Sequence, residues 1–354
     1  MKVLIVGNWH SDIHEEVVYQ AFKKLNHNVF RFTWNQYFNV QDNNSLLNVI
    51  SKKAQQKYMI GPIIDRINYD LLTYARQIRP DVIFIYRGTH VFQKTLAKIH
   101  QEIKTFILGY NNDDPFSPKY SGWEWRHFIK CIPEYDLTLS YRKLNIKDYW
   151  KAGAKDVRLL RSWFVPERNY PVKLSKEEIK KFGCDVVFIG HYEPDGRKEL
   201  LENILKNGID LKIYGPGWEK VTWNEKLPEN IFPIKAVRGS DYNKALNAAK
   251  IALCFFSRLN RDSYTRRCFE IPASGTLLLS EHSEDIESLY KEGKEAAFFR
   301  NSNELISKIN LYLSDNSLRS LVANSGRNRA IQDGYDVASR VKQVVEWCEL
   351  NPRR

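Results

Sequence analysis

IALCFFSRLNRDSYTRRCFEIPASGTLLL, residues 251–279, contains the clearest structural pattern of the chain. The apolar runs at its two ends predict buried strands, and the segment between them predicts an arginine-rich loop followed by a helix near 263–273. Strand, helix and strand in this order form the repeating unit of a parallel α/β sheet. Asp262 lies on the loop and Glu270 on the helix, so two acids and several arginines are expected at one strand end.

The same alternation runs through the rest of the chain. Strands are predicted at 3–6, 28–33, 81–86, 105–110, 136–140, 185–190, 211–215, 251–256 and 276–280. Helices are predicted at 15–25, 43–60, 64–78, 143–151, 196–207, 241–249, 263–273, 303–313, 316–331 and 337–350. This pattern predicts two Rossmann-like doubly wound domains facing a cleft, with a C-terminal helix that crosses back to the N-terminal domain.

Composition and length support two domains. A chain of 354 residues with 43% hydrophobic and 13% aromatic content can bury two cores. We expect domains at 1–165 and 183–335, a charged and proline-containing connection at 166–182, and a C-terminal helix and tail at 336–354. No apolar run reaches the length of a membrane span. The five cysteines form no Cys-x-x-Cys pair, which favours buried free thiols in a reducing cytoplasm and gives no indication of a metal site.

The positive charge is concentrated in the first half of the chain. The net charge is +12, and residues 1–165 hold 24 Lys and Arg against 15 Asp and Glu. The densest segment is 142–161, with seven basic residues opposed by Asp148 and Asp156. This excess predicts either a solvated helix face or attraction to an anionic membrane, a lipid-phosphate-linked acceptor or nucleic acid.

Several residues in the second half fall where predicted strands end, which is where open α/β sheets bind ligands. Arg197 would meet a phosphate from the first turn of a helix, with His191 nearby. Glu270 needs a partner on a mostly apolar helix, either a ligand diol or an ion pair to Arg266 or Arg267. The remaining candidates are the turn Tyr214-Gly215-Pro216-Gly217-Trp218, which would wall a base or simply pack its Trp, and Val237 with Arg238 and Gly239, whose backbone would meet the base edge.

The first half offers fewer candidates. Gly7 closes the first strand and would allow a substrate to approach the backbone, and His10 follows it. Asp113 and Asp114 come directly after a buried strand, where one could act as a base or either could cap the turn before Pro115. Adjacent side chains diverge, so this pair is a poor metal site.

The segment Arg267-Cys268-Phe269-Glu270-Ile271-Pro272-Ala273-Ser274-Gly275 resembles a signature of a known family. It is similar to the Arg-x-Phe-Glu-Ile-x-Ala-x-Gly motif of the CgeB-like, spore-maturation-type group 1 glycosyltransferases, which have the GT-B fold. The run IYGPGW and the unit from FIG to Arg197 match in order and spacing, and the resemblance covers most of residues 183–345. Over residues 1–165 it rests on the strand pattern and on Asp113-Asp114-Pro115.

The resemblance implies a metal-independent glycosyltransferase that uses a nucleoside-diphosphate sugar, with UDP or GDP as the nucleotide. Glu270 would hold the ribose and Asp262 the donor sugar. Arg197, His191 and the loop arginines Arg261, Arg266 and Arg267 would hold the diphosphate, and the N-terminal domain would bind a glycan or lipid-linked acceptor. Relatives often retain the anomeric configuration.

Two alternatives stay open. One is a nucleotide-sugar epimerase of the same fold. The other is a basic nucleic-acid-binding protein, including a DNA-modifying glycosyltransferase. A dinucleotide oxidoreductase is disfavoured because no Gly-x-Gly-x-x-Gly follows the first strand.

Overall fold

In a computed structural model the chain divides into two compact units. The structure describes residues 1–39, 45–224, 231 and 234–350. The first unit comprises Met1–Arg161 together with Val337–Arg354, and the second comprises Ser162–Asp336. Each unit is a parallel sheet with helices, so the prediction of two α/β domains is confirmed.

The first unit contains a six-stranded parallel sheet in the order β2-β1-β3-β4-β5-β6. Its strands are β1 (Lys2–Gly7), β2 (Asn28–Thr33), β3 (Val82–Tyr86), β4 (Phe106–Asn111), β5 (Leu137–Ser140) and β6 (Val157–Leu159). Its first six helices are α1 (Glu15–Lys24), α2 (Leu46–Tyr58), α3 (Pro62–Ile78), α4 (Gln93–Glu102), α5 (Arg126–Cys131) and α6 (Lys143–Lys151). Every residue of β3 and β4 is buried, which explains their continuous apolar sequence.

The second unit contains a five-stranded parallel sheet in the order β11-β10-β9-β7-β8. Its strands are β7 (Cys184–Ile189), β8 (Leu211–Tyr214), β9 (Ala249–Cys254), β10 (Leu277–Glu281) and β11 (Ala297–Phe299). Its helices are α7 (Lys176–Phe182), α8 (Arg197–Lys206), α9 (Ser240–Ala248), α10 (Arg267–Ala273), α11 (Glu284–Glu287), α12 (Ser302–Ser314) and α13 (Asn316–Gln332).

The last helix, α14 (Val337–Glu349), belongs to the first unit and packs against α1. Its buried residues are Val337, Val341, Val344, Val345 and Cys348. This spacing makes one apolar stripe on a helix, which must be covered by another element. The predicted return of the C-terminal helix to the N-terminal domain is therefore confirmed.

Some local expectations need correction. Residues 176–182, within the expected connection, form α7, because Ser175 and Glu178 make a reciprocal capping box at its start. The short edge strands β6 and β11 were not predicted, because three residues carry too little pattern. Residues 43–44 of the predicted helix at 43–60, and residues 351–354 of the predicted tail, lie outside the described residues.

Candidate nucleotide-sugar site

The strand order of the second unit puts its topological switch point between β7 and β9. Ligands of open α/β sheets bind outside the carboxyl ends of the strands at such a point. The segment after β7 contains Gly190–Gly196, and the segment after β9 contains the arginine-rich loop up to Arg266. Two of the segments that the sequence singled out therefore meet at one edge of one sheet.

Glu193 connects these two segments. Its Oε2 accepts a hydrogen bond from the Ser257 hydroxyl at 2.8 Å. Its Oε1 lies 2.8 Å from His191 Nε2 and 3.3 Å from Arg197 Nη2. The sequence analysis missed Glu193 and Ser257, although two acids directly before Arg197 were a visible signal. His191 is thus held by an acid at the edge where the sequence placed it.

Arg197 begins α8 as expected, but its guanidinium is buried. Nε and Nη2 donate to the two oxygens of Asp195 at 2.8 and 2.6 Å, and Nη1 donates to the His191 carbonyl at 2.7 Å. The sequence placed this guanidinium over the strand ends, whereas the structure uses it to hold the β7–α8 loop. The reason is local, because Asp195 is only two residues away and offers a bidentate partner.

The electrostatics of Glu193 follow from this network. Burial alone would raise its pKa, but the hydrogen bond from His191, the charge of Arg197 and the Ser257 hydroxyl together lower it from 4.5 to about 2. A carboxylate with a depressed folded pKa contributes stability that is present above its unfolded pKa. That stability is lost as the pH falls from about 4.5 toward 2.

Glu193→Gln is therefore expected to remove a pH-dependent part of the stability. The shift corresponds to an upper limit of about 3 kcal/mol near neutral pH. Urea unfolding measured between neutral pH and about pH 2.5 should show a wild-type curve that falls more steeply with acidification than the variant curve. Parallel curves for the two proteins would contradict the assigned pKa.

Glu270 lies on α10 and is 9% exposed. Its Oε2 accepts a hydrogen bond from the Tyr242 hydroxyl of α9 at 2.6 Å. Burial, followed by the negative charge of Glu270, raises the pKa of Tyr242 well above 10.0, so the phenol stays protonated and donates. Tyr242 is thus a partner of Glu270 that the sequence analysis did not name.

The arginine-rich loop is anchored at several points. The Asp262 amide donates to the Ser257 carbonyl at 2.9 Å, and Arg267 Nε donates to the Ile189 carbonyl at the end of β7. Arg261 has a positive φ of 47°. Arg266 is the residue before the first turn of α10, and Arg258 Nη2 lies 2.9 Å from Glu281 Oε1. Burial raises the pKa of Glu281.

The helix after this loop is shorter than expected. It begins at Arg267 and not at 263, because the Ser263 hydroxyl donates to Asp285 Oδ2 at 2.8 Å instead of capping the helix. A helix of seven residues has a weaker dipole at its N-terminus than a longer helix would have. Recognition of a diphosphate here would rest on side chains.

The turn after β8 has a structural role. The Trp218 ring is buried, stacks on Trp223 at 5.6 Å, and donates from Nε1 to the Gly190 carbonyl at 2.8 Å. Trp218 therefore packs in the core and does not wall a base, which corrects the first of the two expectations. Gly215 has a φ of +143°, and an added Cβ would lie 2.0 Å from the Gly190 oxygen, so only glycine fits.

The other two residues predicted to surround the base remain accessible. Tyr214 is half-buried, and its ring lies 6.5 Å from the ring of Phe182. Burial raises the pKa of Tyr214 to about 12. Val237 is half-buried in the segment before α9, the helix that carries Tyr242. Tyr214, at the end of β8, and Val237, before α9, are thus partly exposed, whereas Trp218 is buried in the core.

The candidate residues of the first unit lie at the carboxyl ends of β1 and β4. An added Cβ at Gly7 would lie 2.5 Å from the Glu15 side chain, so the close approach predicted at Gly7 is made by Glu15 and not by a substrate. His10 is exposed, and its Nδ1 lies 3.3 Å from Asn8 Nδ2. These positions follow β1, which borders the switch point between β1 and β3.

The two adjacent acids have separate roles. Asp113 Oδ2 lies 2.7 Å from Arg87 Nη2, which follows β3. Asp114 is buried, and its Oδ1 accepts from the Phe116 amide at 3.0 Å and from Asn145 Nδ2 at 2.8 Å. Asp114 therefore caps the turn around Pro115, the structural alternative that the sequence offered, and only Asp113 stays near the strand ends as a candidate base.

The basic segment 142–161 is less available than its composition suggests. Arg142 and Arg161 are buried. Lys155 lies 3.5 Å from Asp136, and Arg158 lies 3.3 Å from Asp156. On α6, the side chains of Lys143, Lys147 and Lys151 are exposed.

Among the described residues, no group of three or more His, Cys, Asp or Glu side chains could hold a metal ion. None of the helices in this part of the chain is long and apolar enough to cross a membrane. The five cysteines, all of them described, are buried and form no disulfide.

A family described as glycosyl transferase-like matches residues 197–346, which include α8, the arginine-rich loop and Glu270. This match covers less than half of the chain. It confirms the prediction of a glycosyltransferase at the level of enzyme class. No curated protein matches the chain in sequence.

Solved structures match over nearly the whole chain at low sequence identity. The sucrose-phosphate synthase of Thermosynechococcus elongatus has a TM-score of 0.70 and 11% identity, covering 99% of this chain and 98% of its own. The Anabaena protein HepE, in complex with UDP and glucose, has a TM-score of 0.67 and 13% identity, covering 99% of each chain. A Listeria monocytogenes protein described as a UDP-N-acetylglucosamine 2-epimerase has a TM-score of 0.58 and 12% identity, covering 99% and 98%. These similarities establish the GT-B fold.

Proposed function

We propose that the protein is a metal-independent glycosyltransferase that moves a sugar from a UDP- or GDP-sugar to a glycan, a lipid-linked saccharide or another anionic acceptor. The observation that carries this proposal is the Glu270 carboxylate, which is buried on α10 and held on one side by the Tyr242 hydroxyl. A buried acid fixed through one oxygen can accept hydrogen bonds from a vicinal diol with the other. The ribose of the nucleotide supplies such a diol.

The diphosphate would be held at the β7–β9 switch point. Arg258 is exposed and makes a single ion pair with Glu281, so it can exchange that partner for a phosphate at low cost. Arg197 would contribute indirectly, because it holds in place the loop that carries His191. Charges held in place before the reaction stabilise the departing nucleoside diphosphate without a metal ion. Arg261, Arg266 and Arg267 complete the proposed set, and Asp262 would contact the donor sugar.

The acceptor would bind the first unit, where His10 and Asp113 follow β1 and β4. We assign the transfer to the retaining class and the chain to the CgeB-like subgroup, on the motif around Glu270. Sugar transfer to a lipid-linked acceptor would take place on the cytoplasmic side of a membrane. It would be a step of polysaccharide biosynthesis.

An epimerase is the second candidate, because the Listeria protein described as a 2-epimerase shares the fold over the whole chain. An epimerase needs acids and a histidine that converge on the sugar. His191 is instead bonded to Glu193. Conversion of a UDP-sugar to its epimer without an acceptor would favour this candidate.

Thermal unfolding with a panel of nucleotides tests the proposal. A ligand at about 100 times its Kd stabilises the folded state by about 2.7 kcal/mol, which raises Tm by several degrees. We expect this increase with UDP or GDP and none with NAD. Absence of any nucleotide effect, together with tight oligonucleotide binding, would contradict the proposal and favour the nucleic-acid-binding alternative.

A further inference from the structure

Helix α2 exposes its large apolar side chains to solvent and does not pack them into a core. Its most exposed large apolar side chains are Leu46, Leu47 and Ile50, at 74%, 78% and 54% exposure, and no residue of the helix is buried. The half-buried side contains Val49, Lys52 and Gln55. An amphipathic surface helix normally packs its apolar face inward. Here the apolar face points to solvent and needs another partner.

The contacts of α2 fix this orientation. Lys52 Nζ donates to the Asn39 carbonyl at 2.8 Å, and Gln55 Oε1 accepts from the Ile63 amide at 2.9 Å. Successive helical residues are rotated by about 100°, so residues 46, 50, 54 and 57 lie on one side and residues 52 and 55 on the other. The helix is therefore tethered through polar side chains, and its apolar face stays open.

The charged residues of α2 are all basic, and they are Lys52, Lys53 and Lys57. Lys53 and Lys57 are exposed on the same side of the helix as Leu46 and Ile50. A second copy of the chain would oppose lysine to lysine, whereas an anionic surface would be attracted.

Helix α6 has a face of the same kind. Lys143, Lys147 and Lys151 are exposed, and Leu144 and Trp150 are exposed within the same arc. Exposed lysines interleaved with Leu and Trp are typical of helices that lie in the interfacial region of a membrane. This pattern recurs in the unit that carries most of the net positive charge.

Both helices lie on one side of the first sheet. The connections from β2 to β6 all run the same way across the strand order, so right-handed crossovers put α3, α4, α5 and α6 on one face. Helix α2 packs against α3, and Arg126 of α5 donates to the carbonyl of Met59, directly after α2, at 3.1 Å. The two exposed faces thus belong to one helical layer.

We infer that α2 and α6 form a membrane-binding surface for an anionic phospholipid bilayer. The apolar residues of α2 enter the headgroup region, and the lysines of both helices contact the lipid phosphates. The inference concerns attachment alone, and it stands or falls independently of the proposed transferase activity. The charge distribution of the sequence indicated only the lysines of 142–161. The exposed apolar face of α2 is a second part of the inferred surface.

A fluorescent label on α2 tests insertion directly. Because the native cysteines are buried, an Ile50→Cys variant can be labelled selectively with an environment-sensitive fluorophore. We expect its emission to increase and shift to the blue with vesicles of phosphatidylcholine mixed with phosphatidylglycerol, and not with phosphatidylcholine alone. The same label at Leu321→Cys, an exposed leucine of α13, is the matched control and should not respond. No response from the label on α2 would overturn the inference.

Co-sedimentation with the same vesicles separates the two contributions. Replacing Leu46, Leu47 and Ile50 together with glutamine should weaken binding at least about tenfold, because the apolar contact is lost. Lys143→Glu, Lys147→Glu and Lys151→Glu together should weaken it as strongly and reduce its salt dependence, because fewer charges then interact within the Debye length of about 10 Å at 0.1 M salt. The control, Leu321→Gln with Ile331→Gln, should bind as wild type.

Two results would contradict the inference. One is wild-type protein that ignores anionic vesicles. The other is a dimer in solution that the glutamine variant of α2 converts to a monomer, which would assign the face to a second copy of the chain. Far-ultraviolet circular dichroism and the Tm without any ligand should be the same in wild type and in both variants, which shows that each variant is folded.

Discussion

Arg197→Ala is expected to destabilise the second unit by about 3–5 kcal/mol, the usual cost of removing one partner from a buried ion pair. The substitution leaves Asp195 and Glu193 buried without the guanidinium that neutralises both. It also frees the His191 carbonyl and so loosens the β7–α8 loop. Urea unfolding of the two proteins measures the loss, and turnover of the donor should fall with it.

Arg300→Ala is the matched control for this prediction. Its guanidinium is exposed and lies 3.8 Å from Glu304 one turn away, so its removal should cost less than about 0.5 kcal/mol. An Arg197→Ala protein as stable as the control would contradict the positioning role. If such a protein also lost turnover while it kept donor affinity, the guanidinium would act directly on the departing diphosphate, as the sequence first suggested.

Glu270→Gln is expected to weaken donor binding at least about tenfold, because a charge-assisted hydrogen bond contributes about 1.5–3 kcal/mol. Glutamine keeps an acceptor for the Tyr242 hydroxyl and preserves the volume, so the fold should be unaffected. Calorimetric titration with UDP and GDP measures the change. Tyr242→Phe should show a smaller loss, because it removes the orienting bond and leaves the carboxylate in place.

Glu199→Gln, an exposed glutamate of α8, is the control for the Glu270 variant. It should bind the nucleotide as wild type does. Unchanged nucleotide affinity in a folded Glu270→Gln protein would contradict the ribose assignment.

The sequence predicted the helical position of Glu270 but not its partner. The run from Arg267 to Gly275 has a helical apolar pattern, and that pattern alone put the carboxylate on α10. Tyr242 lies 28 positions earlier on α9, and only the packing of the two helices brings the hydroxyl to 2.6 Å. Periodicity within one helix carries no information about a contact of this range.

Arg197 and Trp218 show a different limit. The sequence analysis expected a phosphate as the partner of Arg197 and did not consider Asp195. For Trp218 it left open contact with a base or packing in the core. In the structure both side chains are buried. The Arg197 guanidinium pairs with Asp195, two residues away, and the Trp218 indole stacks on Trp223 and donates a hydrogen bond to the Gly190 carbonyl.

The sequence did not reveal which face of α2 is exposed to solvent. The sequence correctly predicted a helix in this region, but helical periodicity does not reveal which side packs inward. Lys52 and Gln55 fix the polar side against Asn39 and Ile63. These contacts leave the apolar side outward.

The most direct test of the central claim is a mass-spectrometric screen of nucleotide-sugar turnover. Wild-type protein incubated with a panel of UDP- and GDP-sugars should hydrolyse one donor slowly and release the nucleoside diphosphate without added metal. The Glu270→Gln protein should release much less of it under the same conditions. Release of no nucleoside diphosphate from any donor by the wild-type protein, with or without candidate acceptors, would contradict the assignment of this chain as a nucleotide-sugar-dependent glycosyltransferase.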